Sequence, residues 1–249
     1  MKLYKCISFS SSYWPYIADE RKIRFATISE LLSGNDQQEF NHRWDSDSPT
    51  FKYLAREIRT HYDGLYQKTA ILSVGQSPNR RCWNEYCSMG GVRYEFDLDL
   101  SVAKESEVTF KSVVYDNNKT FSLERFILSH QIDDRMRMLF QSTHQMNCND
   151  KVTLLNWIKS DEPNILTLEH ASNEIPFKKT TCFQFEDEFR FVHLFEPIEP
   201  KALKTVLVDQ KVDLATLGLT LTRISTCDVE KVRKRLPNCP AEICEIEFS

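Results

Sequence analysis

The segment that most restricts the fold is GVRYEFDLDL at 91–100, in which apolar and charged residues alternate without a break. Because successive side chains of a β-strand point to opposite faces, this pattern places all apolar side chains on one face. That face contains Val92, Tyr94, Phe96, Leu98 and Leu100. The alternation is typical of an antiparallel sheet that has one face on the core and one polar face.

A second alternating segment, FQFEDEFRF at 183–191, carries larger and more charged side chains. Read as a strand, it has Phe183, Phe185, Phe189 and Phe191 on one face and Gln184, Glu186, Glu188 and Arg190 on the other. The two glutamates then lie roughly 6 to 7 Å apart. Their face is either a solvated ladder of ion pairs or the wall of a cleft, and in a cleft we expect the three charged side chains to converge on a concavity.

Strand and helix patterns mix along the chain without a regular βαβ alternation. Strand patterns occur at LYKCISF, TAILSV, VTFKSVVY, ILTLEH, KTVLV and EICEIEF. Helical patterns occur at ATISELLSG, SPTFKYLAREIRTHYDG, VDLATLG and DVEKVRKRL, and a helical insertion is predicted around residues 120–160. No Pro/Gly-rich linker interrupts these segments, so the prediction is a single α+β domain over residues 1–249 with a mostly antiparallel mixed sheet.

The overall charge gives the chain no general attraction to nucleic acid or to anionic membranes. The net charge is -4 and the sequence pI is near 5.9. Contact with a polyanion must therefore be local, at NRR (79–81) or KVRKR (231–235). No stretch approaches the roughly 18 apolar residues of a membrane span. Lys5 interrupts the apolar run that a signal peptide needs, so we expect a cytoplasmic protein without membrane contact.

The eight cysteines are expected to remain thiols in the cytosol. Cys82 with Cys87 and Cys239 with Cys244 share a C-x4-C spacing, which leaves a four-thiolate zinc site as an alternative to inert thiols. Because this spacing is looser than that of usual zinc knuckles, we expect no metal. The chain also lacks a Walker loop and the GxGxxG, HExxH and GxSxG motifs.

Aromatic residues gather in RRCWNEYCSMGGVRYEFD at 80–97, around the turn expected at Gly90 and Gly91. Trp83 and Tyr86 at such a corner can form a flat platform for a base or a nicotinamide ring. The alternative is that both are ordinary core residues.

Five blocks of the chain resemble, in the same order, those of a bacterial family known as domain of unknown function 2971. They are LYK at 3–5, GNDQQE at 34–39, Trp83 and Tyr86 followed by Gly91 and EFD at 95–97, VVY at 113–115, and Lys179 followed by FQFEDEFR at 183–190. Cys6, Gln37 and Phe183 depart from the family pattern, and the gap between the second aromatic residue and Gly91 is one residue short. The resemblance implies a cytosolic bacterial protein of one α+β domain.

The order of these blocks also resembles, by layout only, that of ADP-ribosyltransferases. A polar residue lies on the first strand, an aromatic-bearing segment in the middle and a Glu-x-Glu pair near the end. This resemblance implies an enzyme that consumes NAD as a co-substrate and transfers ADP-ribose to a nucleic-acid or protein acceptor, as toxins and anti-phage defence effectors do. Cleavage of the nicotinamide–ribose bond develops oxocarbenium charge, which a nearby carboxylate stabilises.

The same resemblance implies the roles of individual residues. Glu188 orients the ribose hydroxyl, and Glu186 acts as the base toward an acceptor. The residues implied to bind NAD are Lys5, Trp83, Tyr86, Arg190, Asn35 and Asp36. If the blocks form one site, we expect Asn35, Asp36, Trp83, Tyr86 and Glu188 to lie within one pocket.

Within that set, Trp83 or Tyr86 stacks on the nicotinamide, and Lys5 or Arg190 meets the pyrophosphate. Residues 35–36 either belong to the site or only cap and turn the chain after the first helix. A different function also remains open. In that alternative the protein is a non-catalytic module that binds a nucleotide, a nucleic-acid end or a protein partner through its aromatic platform.

Overall fold

The computed structural model describes residues 1–33, 43–45, 69–106, 108–117, 120–122, 177–194 and 210–248. Outside these residues lie the predicted helix at 48–64, the strands predicted at ILTLEH and KTVLV, most of the predicted insertion around 120–160, and Asn35 and Asp36. The described residues form helices and a mostly antiparallel mixed sheet, which confirms the predicted α+β class.

The secondary structure elements are numbered here within the described ranges. The strands are β1 (Lys2–Ser8), β2 (Lys22–Arg24), β3 (Ala26–Thr27), β4 (Arg43–Asp45), β5 (Thr69–Gly75), β6 (Gly91–Leu98), β7 (Thr109–Ser112), β8 (Val114–Tyr115), β9 (Thr120–Ser122), β10 (Lys178–Lys179), β11 (Glu188–Leu194), β12 (Lys211–Asp213), β13 (Leu219–Thr226) and β14 (Glu242–Glu245). The helices are α1 (Tyr16–Asp19), α2 (Ile28–Ser33), α3 (Arg80–Cys87), α4 (Leu100–Glu105) and α5 (Val229–Arg235), and Thr181–Glu186 form a 3-10 helix.

One eight-stranded sheet organises the described residues, in the order β14-β13-β6-β1-β5-β11-β7, with β3 added on β5. β14 runs parallel to β13, and the other pairs in this sheet are antiparallel. Three further pairs join β10 to β8, β12 to β2 and β4 to β9. The helix predicted at VDLATLG is wrong. Its first two residues belong to β12, which pairs with β2, and residues 214–218 form a turn.

The predicted apolar face of β6 is confirmed as far as Leu98, while Arg93 and Glu95 on the charged face are buried as well. Val92, Tyr94 and Phe96 are fully buried, and they pack in one core with residues of β1, β5 and β11. Leu100 differs from the prediction because the strand has already ended. The Asp99 side chain accepts a hydrogen bond from the Ser101 N–H at 2.9 Å and caps α4, which leaves Leu100 at the helix start and 44% exposed.

The strand predicted at 183–191 begins only at its sixth residue. Thr181–Glu186 form the 3-10 helix, and Asp187 then adopts the left-handed conformation with φ 45° and ψ 53°. Aspartate tolerates this conformation better than most residues. Phe183 and Phe185 are consequently half-buried instead of buried in the core.

β1 and β5 part soon after they meet, and this separation creates a gap in the sheet. They pair only where Tyr4 lies opposite Gly75, while β3 takes the other end of the same edge of β5, opposite Ile71 and Ala70. Among the described strands, none pairs with the intervening part of that edge. Lys5 bridges the gap, because its Nζ donates to the carbonyl of Ser73 at 2.7 Å.

Helix α3 lies close against β1 and β6 beside this gap. A Cβ atom at Gly91 would lie 2.5 Å from the Ile7 carbonyl oxygen and 2.7 Å from Cys87 Sγ, so a larger residue cannot fit there without a shift. The preceding residue, Gly90, has φ 97° and makes the predicted turn between α3 and β6. Glycine at both positions therefore lets α3 form one wall beside the gap.

Candidate functional site

A cavity of about 270 Å³ occupies the gap between β1 and β5. Its walls come from these two strands, from α3, from β10 and from the start of β11. Glu186, Glu188 and Arg190 all line it, which confirms the expectation that they face a concavity. They are 7%, 3% and 1% exposed, so a solvated ladder on an open sheet face is excluded.

Lys179 holds the two glutamates together from β10. Its Nζ donates to Glu186 Oε2 at 2.6 Å and to Glu188 Oε2 at 3.1 Å. The parallel pairing of Lys179 with Tyr115 of β8 fixes its position, and the Tyr115 hydroxyl accepts the N–H of Glu188 at 2.8 Å. Lys179 belongs to the last of the five blocks that resemble the family, but no role was predicted for it from the sequence.

Arg190 and Glu188 form a two-point ion pair along β11. Arg190 Nε donates to Glu188 Oε1 at 2.6 Å, and its Nη2 donates to Oε2 at 3.2 Å. With the bond from Lys179, the Glu188 carboxylate accepts three N–H hydrogen bonds, and a carboxylate has only about four acceptor sites. Glu188 and Arg190 are therefore largely occupied with each other and with the lysine.

Glu186 is less fully bonded than Glu188. Its Oε1 accepts the Tyr86 hydroxyl at 2.8 Å, and its Oε2 accepts Lys179. About two of its acceptor sites thus have no donor among the described residues. Asn79 positions this carboxylate indirectly, because its Oδ1 caps α3 at Arg81 N, 2.7 Å away, while its amide donates to the carbonyl of Phe185.

Burial and neighbouring charges set the protonation of this group. Burial raises the pKa of Glu188, while the Lys179 charge acts in the opposite direction. Burial alone would lower the pKa of Lys179, but the charges of Glu188 and Glu186 outweigh it and raise that pKa, which keeps the ammonium protonated. Burial, and next the charge of Glu186, raise the pKa of Tyr86, so its hydroxyl remains a donor.

Lys5 lines the same cavity from β1 and is half-buried. Burial lowers its pKa, and the charges of Glu188 and Glu186 only partly oppose that effect. With its hydrogen bond to Ser73 already described, Lys5 closes the gap between the two strands. Lys5 is present at the site, as predicted, and its ammonium already donates a hydrogen bond to the Ser73 carbonyl.

Arg93 of β6 also lines the cavity, and sequence reasoning missed it as a site residue. It is 7% exposed, and its Nε and Nη1 have no hydrogen-bond partner among the residues that the structure describes. The rings of Tyr4 and Phe248 lie 5.8 and 5.9 Å from its guanidinium carbon. The available signal was the place of Arg93 on the charged face of GVRYEFDLDL, a face that reads as solvent-exposed from the sequence alone.

The two aromatic residues of the predicted platform are separated by the structure. Tyr86 lines the cavity and is 51% exposed, with its hydroxyl turned inward to Glu186. Trp83 is 7% exposed, does not line the cavity, and packs edge-on against Phe248 with ring centroids 6.1 Å apart. Of the five residues expected in one pocket, Tyr86 and Glu188 are brought together there, Trp83 is not, and Asn35 and Asp36 lie outside the described residues.

A second cavity of about 300 Å³ adjoins the first across β1. The two share Lys5, Cys6, Arg24, Ala26 and Tyr86. The polar and charged side chains that the second adds include Tyr13, Tyr16, Lys22 and Lys211, and no carboxylate from the described residues lines it. Basic side chains are also in excess in the first cavity, where Lys5, Arg24, Arg93, Lys179 and Arg190 face two glutamates. Part of this charge is already paired, since Arg24 bonds Glu30 and Lys211 bonds Glu20, and the remaining excess of basic side chains favours an anionic ligand.

Within the described part of the chain, no three His, Cys, Asp or Glu side chains are grouped so that they can hold a metal ion. Cys82 lines the first cavity, whereas Cys87, the last residue of α3, is buried beside Gly91. Among the described helices, none is long and apolar enough to cross a membrane.

No family model, curated protein or solved structure matches this chain. The resemblance to the domain of unknown function 2971 family and the similar layout of ADP-ribosyltransferases therefore remain predictions. The case for a function depends on the cavity and the residues that line it.

Proposed function

We propose that this chain is an NAD-consuming enzyme of the ADP-ribosyltransferase type that binds NAD in the cavity between β1 and β5. The observation that carries the proposal is Glu186, a buried carboxylate with open acceptor sites in a cavity whose other charges are mainly positive. The basic side chains suit the phosphates of NAD, and the carboxylate suits the ribose, which becomes positively charged during the reaction.

The reaction breaks the bond between the nicotinamide nitrogen and C1′ of the ribose. The electron pair leaves with nicotinamide, and C1′ becomes an oxocarbenium-like cation that the Glu186 carboxylate stabilises. Water or an acceptor hydroxyl then bonds to C1′ and gives up its proton, and in this proposal Glu186 receives that proton. Hydrolysis and transfer to a nucleic-acid or protein acceptor share these steps and differ only in the attacking group.

Tyr86 supports this role of Glu186 in two ways. Its hydroxyl donates to Glu186 Oε1 at 2.8 Å and fixes the orientation of the carboxylate. Its ring is half exposed at the cavity, where a nicotinamide or an adenine can stack on it.

Glu188 acts in this scheme mainly through other residues. Because Arg190 and Lys179 occupy most of its acceptor sites, it holds Lys179 in place beside Glu186. The sequence-based assignment of Glu188 to the ribose hydroxyl stays a prediction, and the hydrogen bonding favours Glu186 for the first contact with the ligand.

A second candidate function is nucleotide binding without turnover. The ion pair between Lys179 and Glu186 favours it, because a carboxylate that is paired with a buried ammonium is a weaker base. In that case the cavity and the Tyr86 ring select the ligand, and no bond is broken.

Incubation of the purified protein with NAD separates the two candidates. Chromatography measures free nicotinamide, and calorimetry measures binding of NAD under the same conditions. Release of nicotinamide supports the enzyme, and binding without release, even with nucleic acid and protein acceptors supplied, supports the binding module. A protein that neither binds NAD nor releases nicotinamide contradicts the enzyme and excludes NAD as the ligand of the binding module.

A further inference from the structure

Arg93 is placed unlike the other strongly buried cations of the first cavity. Lys179 and Arg190 are paired with glutamates, whereas Arg93 is 7% exposed with Nε and Nη1 unbonded. The next carboxylate on the same face of β6, Glu95, is paired with Lys2. Arg93 thus keeps two N–H donors unused inside the protein.

An unpaired buried guanidinium is an unfavourable arrangement for a protein. Arginine keeps its charge at all accessible pH values, so its burial costs the full free energy of removing a charge from water. The rings of Tyr4 and Phe248 lie within 6 Å of the charge and compensate for only part of the lost hydration. A ligand that supplies an anion at this point removes the remaining cost.

We propose that Arg93 is the binding site for the diphosphate group of the nucleotide that occupies this cavity. A planar guanidinium has two edges that match two oxygens of a phosphate, Nε with Nη2 and Nη1 with Nη2, and each edge of Arg93 contains one of the unbonded nitrogens. Arg190, which was predicted for this contact, already donates hydrogen bonds from its Nε and Nη2 to Glu188. The inference depends on the proposed function only for the identity of the nucleotide, since any ligand with a diphosphate meets the same requirement.

The competing explanation is that Arg93 only fills space between the two rings. The two explanations predict opposite effects of an apolar replacement. If Arg93 binds an anion, Arg93→Met removes an unpaired buried charge and raises the melting temperature of the ligand-free protein. Phosphates then no longer raise the melting temperature of that variant. If Arg93 is packing alone, the same variant melts at a lower temperature and phosphates act on it as they do on the unchanged protein.

The experiment measures melting temperature and calorimetric affinity with inorganic pyrophosphate, ADP-ribose and adenosine. The matched control is Arg223→Met, because Arg223 lies on the neighbouring strand β13, is exposed, and pairs with Glu242 outside the cavity. Arg93→Lys is the second variant, since it keeps the charge and loses the two-pronged geometry.

We expect pyrophosphate and ADP-ribose to stabilise the unchanged protein and the Arg223→Met protein. Arg93→Met should weaken both ligands by roughly ten- to a hundredfold, as for the loss of a charge-assisted hydrogen-bond pair, with a smaller loss for Arg93→Lys. Adenosine binding should stay the same in all variants. Equal affinities of Arg93→Met and the unchanged protein, or no effect of pyrophosphate and ADP-ribose on the unchanged protein, would overturn the inference. If ADP-ribose binding requires Arg93 but NAD yields no nicotinamide, the diphosphate site stands and the proposed reaction fails.

Discussion

Lys179 Nζ lies 2.6 Å from Glu186 Oε2, and both side chains are less than a tenth exposed. This pair joins the short strand β10 to the end of the 3-10 helix and so closes one side of the cavity. Because the ammonium also reaches Glu188, removal of one positive charge leaves two carboxylates inside the protein without their shared partner.

Replacement of Lys179 by methionine should therefore destabilise the fold strongly. Loss of one member of a buried ion pair costs about 3 to 5 kcal/mol, because the remaining charge is left without compensation. Urea unfolding measures the free energy, and Lys178→Met is the matched control on the same strand, where the half-buried side chain should contribute about 1 kcal/mol or less. Equal stability of the Lys179→Met and unchanged proteins would show that this network does not exist in solution.

Tyr86 should contribute to ligand binding through its ring and to turnover through its hydroxyl. Tyr86→Ala removes the exposed ring and should weaken NAD binding by about 1 to 3 kcal/mol, the usual value of one stacked base. Tyr86→Phe keeps the ring and loses only the hydrogen bond to Glu186, so NAD affinity should change little while nicotinamide release falls. Calorimetry and a nicotinamide assay on the three proteins test this, and an equal loss of affinity in both variants contradicts it.

Cys82 reports on the charge inside the cavity. Burial, and next the charge of Glu186, raise the pKa of the Cys82 thiol to about 12. Since only the thiolate is alkylated, Cys82 should react with iodoacetamide at pH 8 at least about 100-fold more slowly than an exposed thiol, and its rate should rise with pH up to about 12. Peptide mass spectrometry compares it with the exposed Cys182 of the same protein.

Glu186→Gln removes the negative charge that helps to raise the pKa of Cys82, so labelling of Cys82 should become faster in that variant. Cys227 is exposed, lines neither cavity, and should react at the same rate in both proteins. Rapid labelling of Cys82 in the unchanged protein at pH 8 would mean that Glu186 and Cys82 are not arranged as described.

The core strands could be predicted because their signal is local. Burial of β6 follows directly from the alternation of Val92, Tyr94 and Phe96, and the same holds for the apolar run of β5. The error at 183–187 has a non-local cause. The 3-10 helix there is held by Asn79, about a hundred residues earlier, and by the ion pair with Lys179, which periodicity cannot register.

The predicted site was partly recovered because Glu188 and Arg190 do lie on one face of β11. Glu186 joins them from the 3-10 helix through Lys179, which the strand pattern did not predict. The environment of Trp83 and Arg93 could not be read in this way. Both are buried and both contact Phe248, which lies more than 150 residues further along the chain. Asparagine at position 79 is a preferred helix N-cap, and together with the residues that follow it could have indicated α3.

The most direct test of the central claim is nicotinamide release from NAD by Glu186→Gln, with Glu245→Gln as the matched control on the exposed strand β14. Glutamine keeps the size of Glu186 and most of its hydrogen bonding while it removes the negative charge. Circular dichroism confirms that each variant is folded before rates are compared. We predict a fall in turnover of about 100- to 10,000-fold for Glu186→Gln and an unchanged rate for Glu245→Gln. A folded Glu186→Gln protein that releases nicotinamide at the original rate would contradict the account.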